Sequence, residues 1–191
     1  MASAGDGITG RARAGTRLAR PVVLVGMMGC GKTAVGTALA ARLGLPFRDT
    51  DAAMEEAARM TVPEIFARDG EAFFRDRETE VLRRVLRAGP AIVSTGGGAF
   101  LREANRAAID AAGTSVWLRA DGELLWQRVR HRGGRPLLAT ADPKATLLAL
   151  LAAREPHYAK ARLHVEATPE VAVPAMVDRV VAALRGAEVL A

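Results

Sequence analysis

The chain has 191 residues, enough for one domain whose folding buries roughly 70% of the surface that the unfolded chain exposes. Half of its residues are apolar, but no apolar run approaches the ~20 residues that span a bilayer. The single cysteine excludes an internal disulfide and a cysteine-based metal site, and the three histidines are scattered along the chain. The net charge of +6 is compatible with nucleic-acid binding, but beyond the first twenty residues the arginines alternate with acids and no aromatic side chains interleave with them, so we expect neither nucleic acid nor a membrane as a partner.

The first twenty residues differ in composition from the rest of the chain. Four arginines against one aspartate give them a charge of +3, and they are rich in Gly and Ala without an apolar period. This composition predicts a disordered basic tail over 1–20. An organelle transit peptide is the alternative, but the segment is short and not clearly amphipathic, so we expect a solvated extension on a cytoplasmic, monomeric protein. Residues 21–191 then form one domain.

From Pro21 onward, short apolar runs rich in β-branched residues alternate with longer helical stretches. This alternation is typical of an α/β fold in which helices cover both faces of a parallel sheet. The predicted strands lie at 21–26, 45–49, 91–95, 114–118 and 162–166. The predicted helices lie at 32–43, 51–59, 71–88, 102–112, 121–131, 143–158 and 170–185. Ligands of such sheets bind at the carboxyl ends of the strands, so motifs at these ends carry the most weight.

The first predicted strand runs directly into G-M-M-G-C-G-K-T at residues 26–33, which matches the phosphate-binding pattern G-x-x-x-x-G-K-[ST] and opens a helix. Its glycines let backbone N–H groups converge on an anion, and the positive end of the helix dipole adds to their attraction. Lys32 can reach the terminal phosphates, and Thr33 can ligate magnesium. The pattern predicts binding of a nucleoside triphosphate, whereas a mere glycine-rich turn before a helix is the weaker interpretation.

The second predicted strand ends in D-T-D, with carboxylates at Asp49 and Asp51. In an extended segment, positions i and i+2 point to the same face, so both acids can face one site. Their like charges would repel each other unless a metal or a substrate donor intervenes, so we expect one to serve magnesium and the other an acceptor hydroxyl. The alternative for Asp51 is that it caps the following helix.

The third predicted strand ends without the acid that many P-loop ATPases and GTPases place there, which disfavours those families. It continues instead into Gly96, Gly97 and Gly98. A substrate ring could pack against this side-chain-free backbone and bind its N–H groups, although a plain tight turn is also possible.

The long spacer over 50–90 exceeds a plain crossover, and we expect it to carry the pocket for the acceptor substrate. Its segment 78–88 has apolar residues at helical spacing and is predicted to be a covering helix with no further role. Farther along, the stretch 130–142 combines arginines with a glycine pair and a proline. This composition predicts a basic lid that closes over bound nucleotide and excludes water.

Six motifs occur in a fixed order: G-M-M-G-C-G-K-T, D-T-D, F-R-D-R-E, G-G-G, R-P-L-L and R-E-P-H-Y. In this order and spacing the chain resembles the shikimate kinase family over about residues 21–185. The resemblance implies a three-layer fold like that of the nucleoside monophosphate kinases, with a five-stranded parallel sheet. It also implies transfer of a phosphoryl group from ATP, with one Mg²⁺ ion, to the 3-hydroxyl of shikimate on the way to chorismate and the aromatic amino acids.

The resemblance also assigns site residues by motif. Those implied for the nucleotide are Gly29, Cys30, Gly31, Lys32, Thr33, Ala34, Arg128 and Arg135. Those implied for shikimate are Asp51, Arg75, Gly96, Gly97, Gly98 and Arg154. Lys32, Asp51 and the lid arginine Arg135 would be catalytic, and the metal would be held by Thr33 and, through water, by Asp49. Ala34 departs from the family pattern, which usually has a second hydroxyl residue at this position.

Three other functions compete with this interpretation. A gluconate or nucleotide kinase of the same architecture is disfavoured by the D-T-D and G-G-G pair. A non-catalytic nucleotide-binding module would be expected to lack Lys32, Asp51 or Arg135, and all three are present. The third function, nucleic-acid binding, would require that the protein still binds DNA after residues 1–20 are deleted.

Overall fold

Five parallel strands form the centre of the computed structural model, which describes residues 18–131 and 136–190. The strands are β1 (Val22–Val25), β2 (Phe47–Asp49), β3 (Ile92–Ser94), β4 (Thr114–Ala120) and β5 (Leu163–Ala167). Their order across the sheet is β2-β3-β1-β4-β5, and every neighbouring pair is parallel. The order reverses at β1, so the carboxyl ends of β1, β2 and β3 lie together at one edge, where such sheets bind their ligands.

Seven helices connect and cover these strands within the described residues. They are α1 (Lys32–Leu43), α2 (Thr50–Ala58), α3 (Val62–Arg87), α4 (Glu103–Ala112), α5 (Gly122–Val129), α6 (Pro143–Tyr158) and α7 (Val173–Gly186), with short 3₁₀ turns at Ala99–Leu101 and Pro136–Leu138. None of these helices is long and apolar enough to cross a membrane.

The core lies on both faces of the sheet. All four residues of β1 are fully buried, and because successive side chains of a strand point to opposite faces, both faces must be covered. Helices α1 and α7 pack against each other, as do α3 and α4. The α/β fold class and the five-stranded parallel sheet predicted from the sequence are confirmed.

The predicted helix over 71–88 corresponds to the second of two helical segments that make up α3, which meet at the non-helical residue Gly70. Helix α3 begins at Val62, where Thr61 and Glu64 form a capping box and Pro63 occupies the first turn. Gly70, with φ of +80°, kinks it in the middle. The sequence analysis missed the first segment, for which the T-x-P-E pattern at 61–64 was the available signal.

The chain is packed slightly before the predicted domain boundary at residue 21. Leu18 is buried and forms an isolated antiparallel bridge with Leu190. The predicted disordered tail otherwise falls on residues 1–17, which lie outside the described residues.

Candidate active site

The loop between β1 and α1 has the backbone of a phosphate cradle. Gly26, Gly29 and Gly31 have φ of +138°, +85° and +102°, a region that residues with a Cβ rarely adopt. Among the described residues no side chain caps the first turn of α1, so its N–H groups are open to the cavity in front of them. Free amides and the positive end of the helix dipole make this an anion site.

Lys32 is almost buried and is folded back onto this loop. Its Nζ donates to the carbonyl oxygens of Gly26 at 2.8 Å and Met27 at 3.1 Å, and lies 3.8 Å from Cys30 Sγ. No carboxylate among the described residues lies within salt-bridge distance of the ammonium group. The lysine is thus placed to exchange neutral carbonyl oxygens for phosphate oxygens when an anion enters the loop.

Asp49 and Asp51 have separate structural roles, although both face the same cavity. Asp49 ends β2, and its Oδ1 accepts hydrogen bonds from the backbone N–H groups of Asp51 (3.0 Å) and Ala52 (3.3 Å). The predicted extended geometry of D-T-D is therefore wrong, because α2 begins at Thr50. Asp49, and not Asp51, caps the helix, so the capping alternative for Asp51 is also wrong. The other oxygen of Asp49, Oδ2, accepts from Thr33 Oγ1 at 3.3 Å.

Asp51 is a carboxylate with an unusual environment. Burial, followed by the negative charges of Asp49 and Glu78, raises the pKa of Asp51 to about 6, and the opposing effect of Lys32 is smaller. Within the described part of the chain its Oδ1 has no hydrogen-bond partner. A carboxylate of raised pKa with a free oxygen in a cleft can accept a proton from a hydroxyl group that reaches it.

Arg75 and Glu78 lie on one face of α3 beside Asp51. Arg75 Nη1 donates to Glu78 Oε2 at 2.9 Å, and its Nη2 lies 3.2 Å from Glu71 Oε1. Glu78 is 1% exposed, and its second oxygen has no partner among the described residues. Burial raises the pKa of Glu78, and the positive charge of Arg75 opposes this rise. The guanidinium also stacks near the ring of Phe74, 5.1 Å from its centroid.

The interpretation of 78–88 as a covering helix alone is therefore incomplete. Its apolar residues do pack in the core, but its first residue, Glu78, belongs to the site. The i, i+3 spacing of Arg75 and Glu78 in F-R-D-R-E was the signal that could have identified this pair.

The three glycines after β3 lie where functional side chains approach the backbone. A Cβ at Gly96 would stand 2.6 Å from Asp51 Oδ1 and 2.9 Å from Glu78 Oε1, and one at Gly98 would overlap Arg75 Nη1. Gly97 is less crowded, with no atom nearer than 3.6 Å to such a Cβ. The loop is therefore more than a tight turn, since glycine at two of its positions makes room for the acids and the arginine.

Arg154 completes this cluster from α6. It is only 7% exposed and has no carboxylate within salt-bridge distance among the residues that the structure describes. Its Nη1 lies 3.9 Å from Met27 Sδ, and the neighbouring Tyr158 hydroxyl donates to the Gly97 carbonyl. Burial raises the pKa of Tyr158 to about 12, so this hydroxyl stays protonated. A buried arginine without an ion pair is a strong candidate for binding an anionic ligand.

Two adjoining cavities collect these residues. The larger one, about 540 Å³, is lined by residues 28–35 of the phosphate loop, by both aspartates, by Arg128 and by Val171, Ala172, Val173 and Met176. The smaller one, about 180 Å³, is lined by Met28, Asp51, Val62, Phe66, Phe74, Arg75, Glu78, Gly96, Gly97, Gly98, Leu137 and Arg154. They share Met28, Asp51, Gly96 and Gly97. A group bound in one cavity can thus meet a group bound in the other beside Asp51.

The structure brings together every predicted site residue except Arg135. Gly29, Cys30, Gly31, Lys32, Thr33 and Ala34 all line the larger cavity. Arg128 also lines it, with Nη1 3.5 Å from the carbonyl oxygens of Gly29 and Cys30. Arg135 lies outside the described residues. The apolar lining from residues 171–176 was missed, because neither glycines nor charges mark it in the sequence.

A phosphate loop that opens beside a separate pocket lined by a carboxylate and two arginines defines a small-molecule kinase of the P-loop class. The family model described as shikimate kinase matches residues 28–185. The chain belongs to the shikimate kinase family.

Individual relatives agree with this assignment. A shikimate kinase of Ruegeria pomeroyi is 62% identical over 167 residues, which cover 87% of this chain and 86% of the relative. One of Cereibacter sphaeroides is 59% identical over 150 residues, covering 78% and 75%. Among solved structures, shikimate kinase from Acinetobacter baumannii in complex with shikimate superposes with a TM-score of 0.85 at 34% identity, covering 89% of this chain and 95% of that one. A gluconokinase from Sinorhizobium meliloti, with a TM-score of 0.59 at 20% identity, shares the fold alone.

Proposed function

We propose that the protein transfers the terminal phosphoryl group of ATP to the 3-hydroxyl of shikimate, giving shikimate 3-phosphate and ADP in the pathway to the aromatic amino acids. The observation that carries this proposal is the small cavity beside the phosphate loop. There the buried Arg154 and a carboxylate oxygen of Asp51 face the same space, and among the described residues the arginine has no ion pair and the oxygen no hydrogen-bond partner. Shikimate is a carboxylic acid with three hydroxyl groups, so it supplies the anion and the donors that these two residues lack. The Acinetobacter baumannii relative was solved with shikimate bound.

The nucleotide would occupy the larger cavity. Its phosphates would be bound by the loop amides over 29–33 and by Lys32, which leaves its carbonyl partners to contact them. Arg128 lies beside the loop on the side of the apolar residues 171–176, so its planar guanidinium can stack on the adenine ring there.

The residues present fit one Mg²⁺ ion held mainly by the nucleotide. Thr33 Oγ1 and Asp49 Oδ2 are 3.3 Å apart and both line the larger cavity, while the other oxygen of Asp49 is engaged by the first turn of α2. The described residues contain no group of three or more His, Cys, Asp or Glu side chains that could hold a metal alone, and Mg²⁺ commonly keeps waters and phosphates as its other ligands. When bound, the ion neutralises phosphate charge.

The acceptor would lie in the smaller cavity with its carboxylate against Arg75 and Arg154. Arg75 keeps its charge because burial, which lowers its pKa, is outweighed by Glu78 and Glu71. The backbone over 96–98 would line the ring. Asp51, at the junction of the two cavities, would hold the attacking hydroxyl and accept its proton as the new phosphate bond forms. In addition, we propose Arg135 as the lid arginine that approaches the transferring phosphoryl group, on the basis of the R-P-L-L motif.

The test is ADP release from purified protein with ATP and magnesium, measured with shikimate, quinate or gluconate as acceptor. We expect strong and selective stimulation by shikimate. Stimulation by gluconate alone would refute the proposal in favour of a sugar-acid kinase, and ATP binding without stimulation by any acceptor would favour a non-catalytic module.

Two arginines of α3 give a matched pair of variants for the acceptor pocket. Arg75→Ala should raise the KM for shikimate, with a loss of about 2–4 kcal/mol in kcat/KM, while the KM for ATP stays unchanged. Arg77→Ala should change neither, because Arg77 is half-exposed and pairs with Glu80 on the outer face of the same helix. An equal effect of both variants would contradict the proposed carboxylate contact.

A further inference from the structure

The glycine loop after β3 has no side chains with which to hold its own position. Its contacts from the pocket side are a hydrogen bond from the Gly96 N–H to Thr50 Oγ1 at 3.3 Å and the one from Tyr158 to the Gly97 carbonyl. Its other end continues into the 3₁₀ turn Ala99–Leu101, whose N–H groups bond back to the carbonyls of Gly96 and Gly98 at 3.1 Å each. The position of the glycine backbone is therefore tied to whatever holds this turn.

Two consecutive side chains of α4 hold the turn from behind. Asn105 Nδ2 donates to the Ala99 carbonyl at 2.8 Å. Arg106 Nη1 donates to the carbonyls of Phe100 at 2.8 Å and Leu101 at 2.7 Å. All three carbonyl groups of the turn are thus bound by adjacent residues of one helix, which leaves the turn little freedom to shift relative to α4.

Asn105 is unlike an ordinary structural polar residue. It is fully buried, and while its Nδ2 is paired, its Oδ1 has no partner among the described residues. The orientation of the amide follows from its partner, because only the NH₂ group can donate to a carbonyl oxygen. An unpaired amide oxygen in the interior is unfavourable, so Asn105 does not stabilise the fold through its oxygen. Its favourable contribution is the hydrogen bond that Nδ2 donates to the Ala99 carbonyl.

At Gly96 and Gly98 the loop lies very close to two side chains of the pocket. Arg75 Nη1 and Asp51 Oδ1 occupy the space where side chains of Gly98 and Gly96 would begin. A shift of the turn by a few tenths of an ångström therefore changes the contact of the glycine backbone with both groups that we assign to the acceptor.

We propose that Asn105 and Arg106 are positioning residues of the acceptor site, which hold the turn Ala99–Leu101 and thereby set the glycine backbone against Arg75 and Asp51. Neither residue lines either cavity, so they act through the turn and not by contact with substrate. The inference rests on the proposed function, since it assigns these residues to the binding of the same acceptor. Substitution of either residue should weaken the binding of shikimate more than that of ATP, because the phosphate loop is held by other contacts.

The test compares Asn105→Leu, which keeps the branched shape without the donor, with Arg106→Met and Arg106→Lys. We expect Asn105→Leu and Arg106→Met to raise the KM for shikimate roughly tenfold while the KM for ATP stays within about twofold, and Arg106→Lys to recover part of the loss. Hydrogen exchange of the peptide 96–101, measured without substrate, should be faster in both donor-free variants.

Ser115→Ala is the control for a merely structural loss. Ser115 is fully buried at the opposite end of the sheet, where its Oγ accepts from the backbone N–H of Arg162 at 3.0 Å. The control should lower the melting temperature without changing the KM for shikimate. If the Asn105 and Arg106 variants behave in the same way, or if the exchange of 96–101 is unchanged, the inference is overturned. Turnover of the wild type with shikimate is measured first. If the wild type shows no turnover, the proposed function is refuted. If only the variants are defective, the result bears on the role of the turn Ala99–Leu101.

Discussion

Replacing Asp51 by asparagine should stabilise the fold and remove most of the turnover. Burial and the nearby charges of Asp49 and Glu78 raise the pKa of Asp51 from 3.8 to about 6, so its ionised form is less stable in the folded protein than in the unfolded chain. Because one pKa unit corresponds to about 1.4 kcal/mol, ionised Asp51 costs the fold roughly 3 kcal/mol. Asparagine has nearly the same shape and carries no charge, so the variant should regain a large part of that free energy.

The stabilisation should depend on pH in a defined direction. Well below pH 4 Asp51 is protonated in both states and costs nothing, whereas well above pH 6 it is ionised in both and the full cost is present. The free energy of unfolding of Asp51→Asn should therefore exceed that of the wild type at pH 8, and the difference should shrink as the pH falls from about 6 towards 4.

Urea unfolding at pH 8 and pH 5, followed by far-UV circular dichroism, measures this difference. The control is Asp121→Ala, which removes the cap of α5 and should destabilise the fold by about 1 kcal/mol, because Asp121 does not contribute to the pKa shift of Asp51. Turnover of Asp51→Asn should fall by about 10²–10⁴-fold with little change in ATP affinity. A variant that is no more stable than wild type at pH 8, or equally stabilised at both pH values, would refute the electrostatic reasoning.

Three further outcomes follow from the same geometry. With wild-type enzyme, kcat/KM for shikimate should fall below about pH 6 as Asp51 gains a proton, and a profile flat down to pH 5 would contradict its role as base. Gly98→Ala should displace the Arg75 guanidinium and raise the KM for shikimate at least tenfold, while Gly186→Ala, where a Cβ meets nothing, should leave kinetics unchanged. Glu78→Ala should leave Arg75 without its buried partner and lower the free energy of unfolding by about 3 kcal/mol, and a loss below 1 kcal/mol in urea unfolding would argue against a tight pair.

The strands and the phosphate loop could be predicted because their signals are local. Val22 to Val25 form an unbroken apolar run before the glycines, and a strand buried on both faces requires such a run. The glycines at 26, 29 and 31 follow from the positive φ values that the loop needs. In these segments neighbouring residues alone determine the conformation.

The environment of the acids could not be predicted, because it depends on residues far apart in the chain. Asp51 takes its raised pKa partly from Glu78, which comes from another helix, and its place beside Gly96 from β3. The sequence pattern suggested that Asp49 and Asp51 share a face of a strand, whereas the helix begins between them and brings both to the cavity by a different path. The residue types were sufficient to predict that Asp49 and Asp51 belong to the site. Only the fold shows that Asp49 caps the helix and that Asp51 carries the oxygen without a partner among the described residues.

The site that we propose for the acceptor gives up some stability of the free protein for recognition. Asp51 Oδ1 and Glu78 Oε1 are both buried, both lack a hydrogen-bond partner among the described residues, and both lie within 3 Å of the point where a Gly96 side chain would begin. Each unpaired oxygen of this kind costs about 1–3 kcal/mol, which a ligand with donors at this point recovers on binding. A molecule of the same shape without hydroxyl groups would bury the two oxygens further and leave them unpaired. Discrimination by such a site comes more from rejecting the wrong acceptor than from added attraction for the right one.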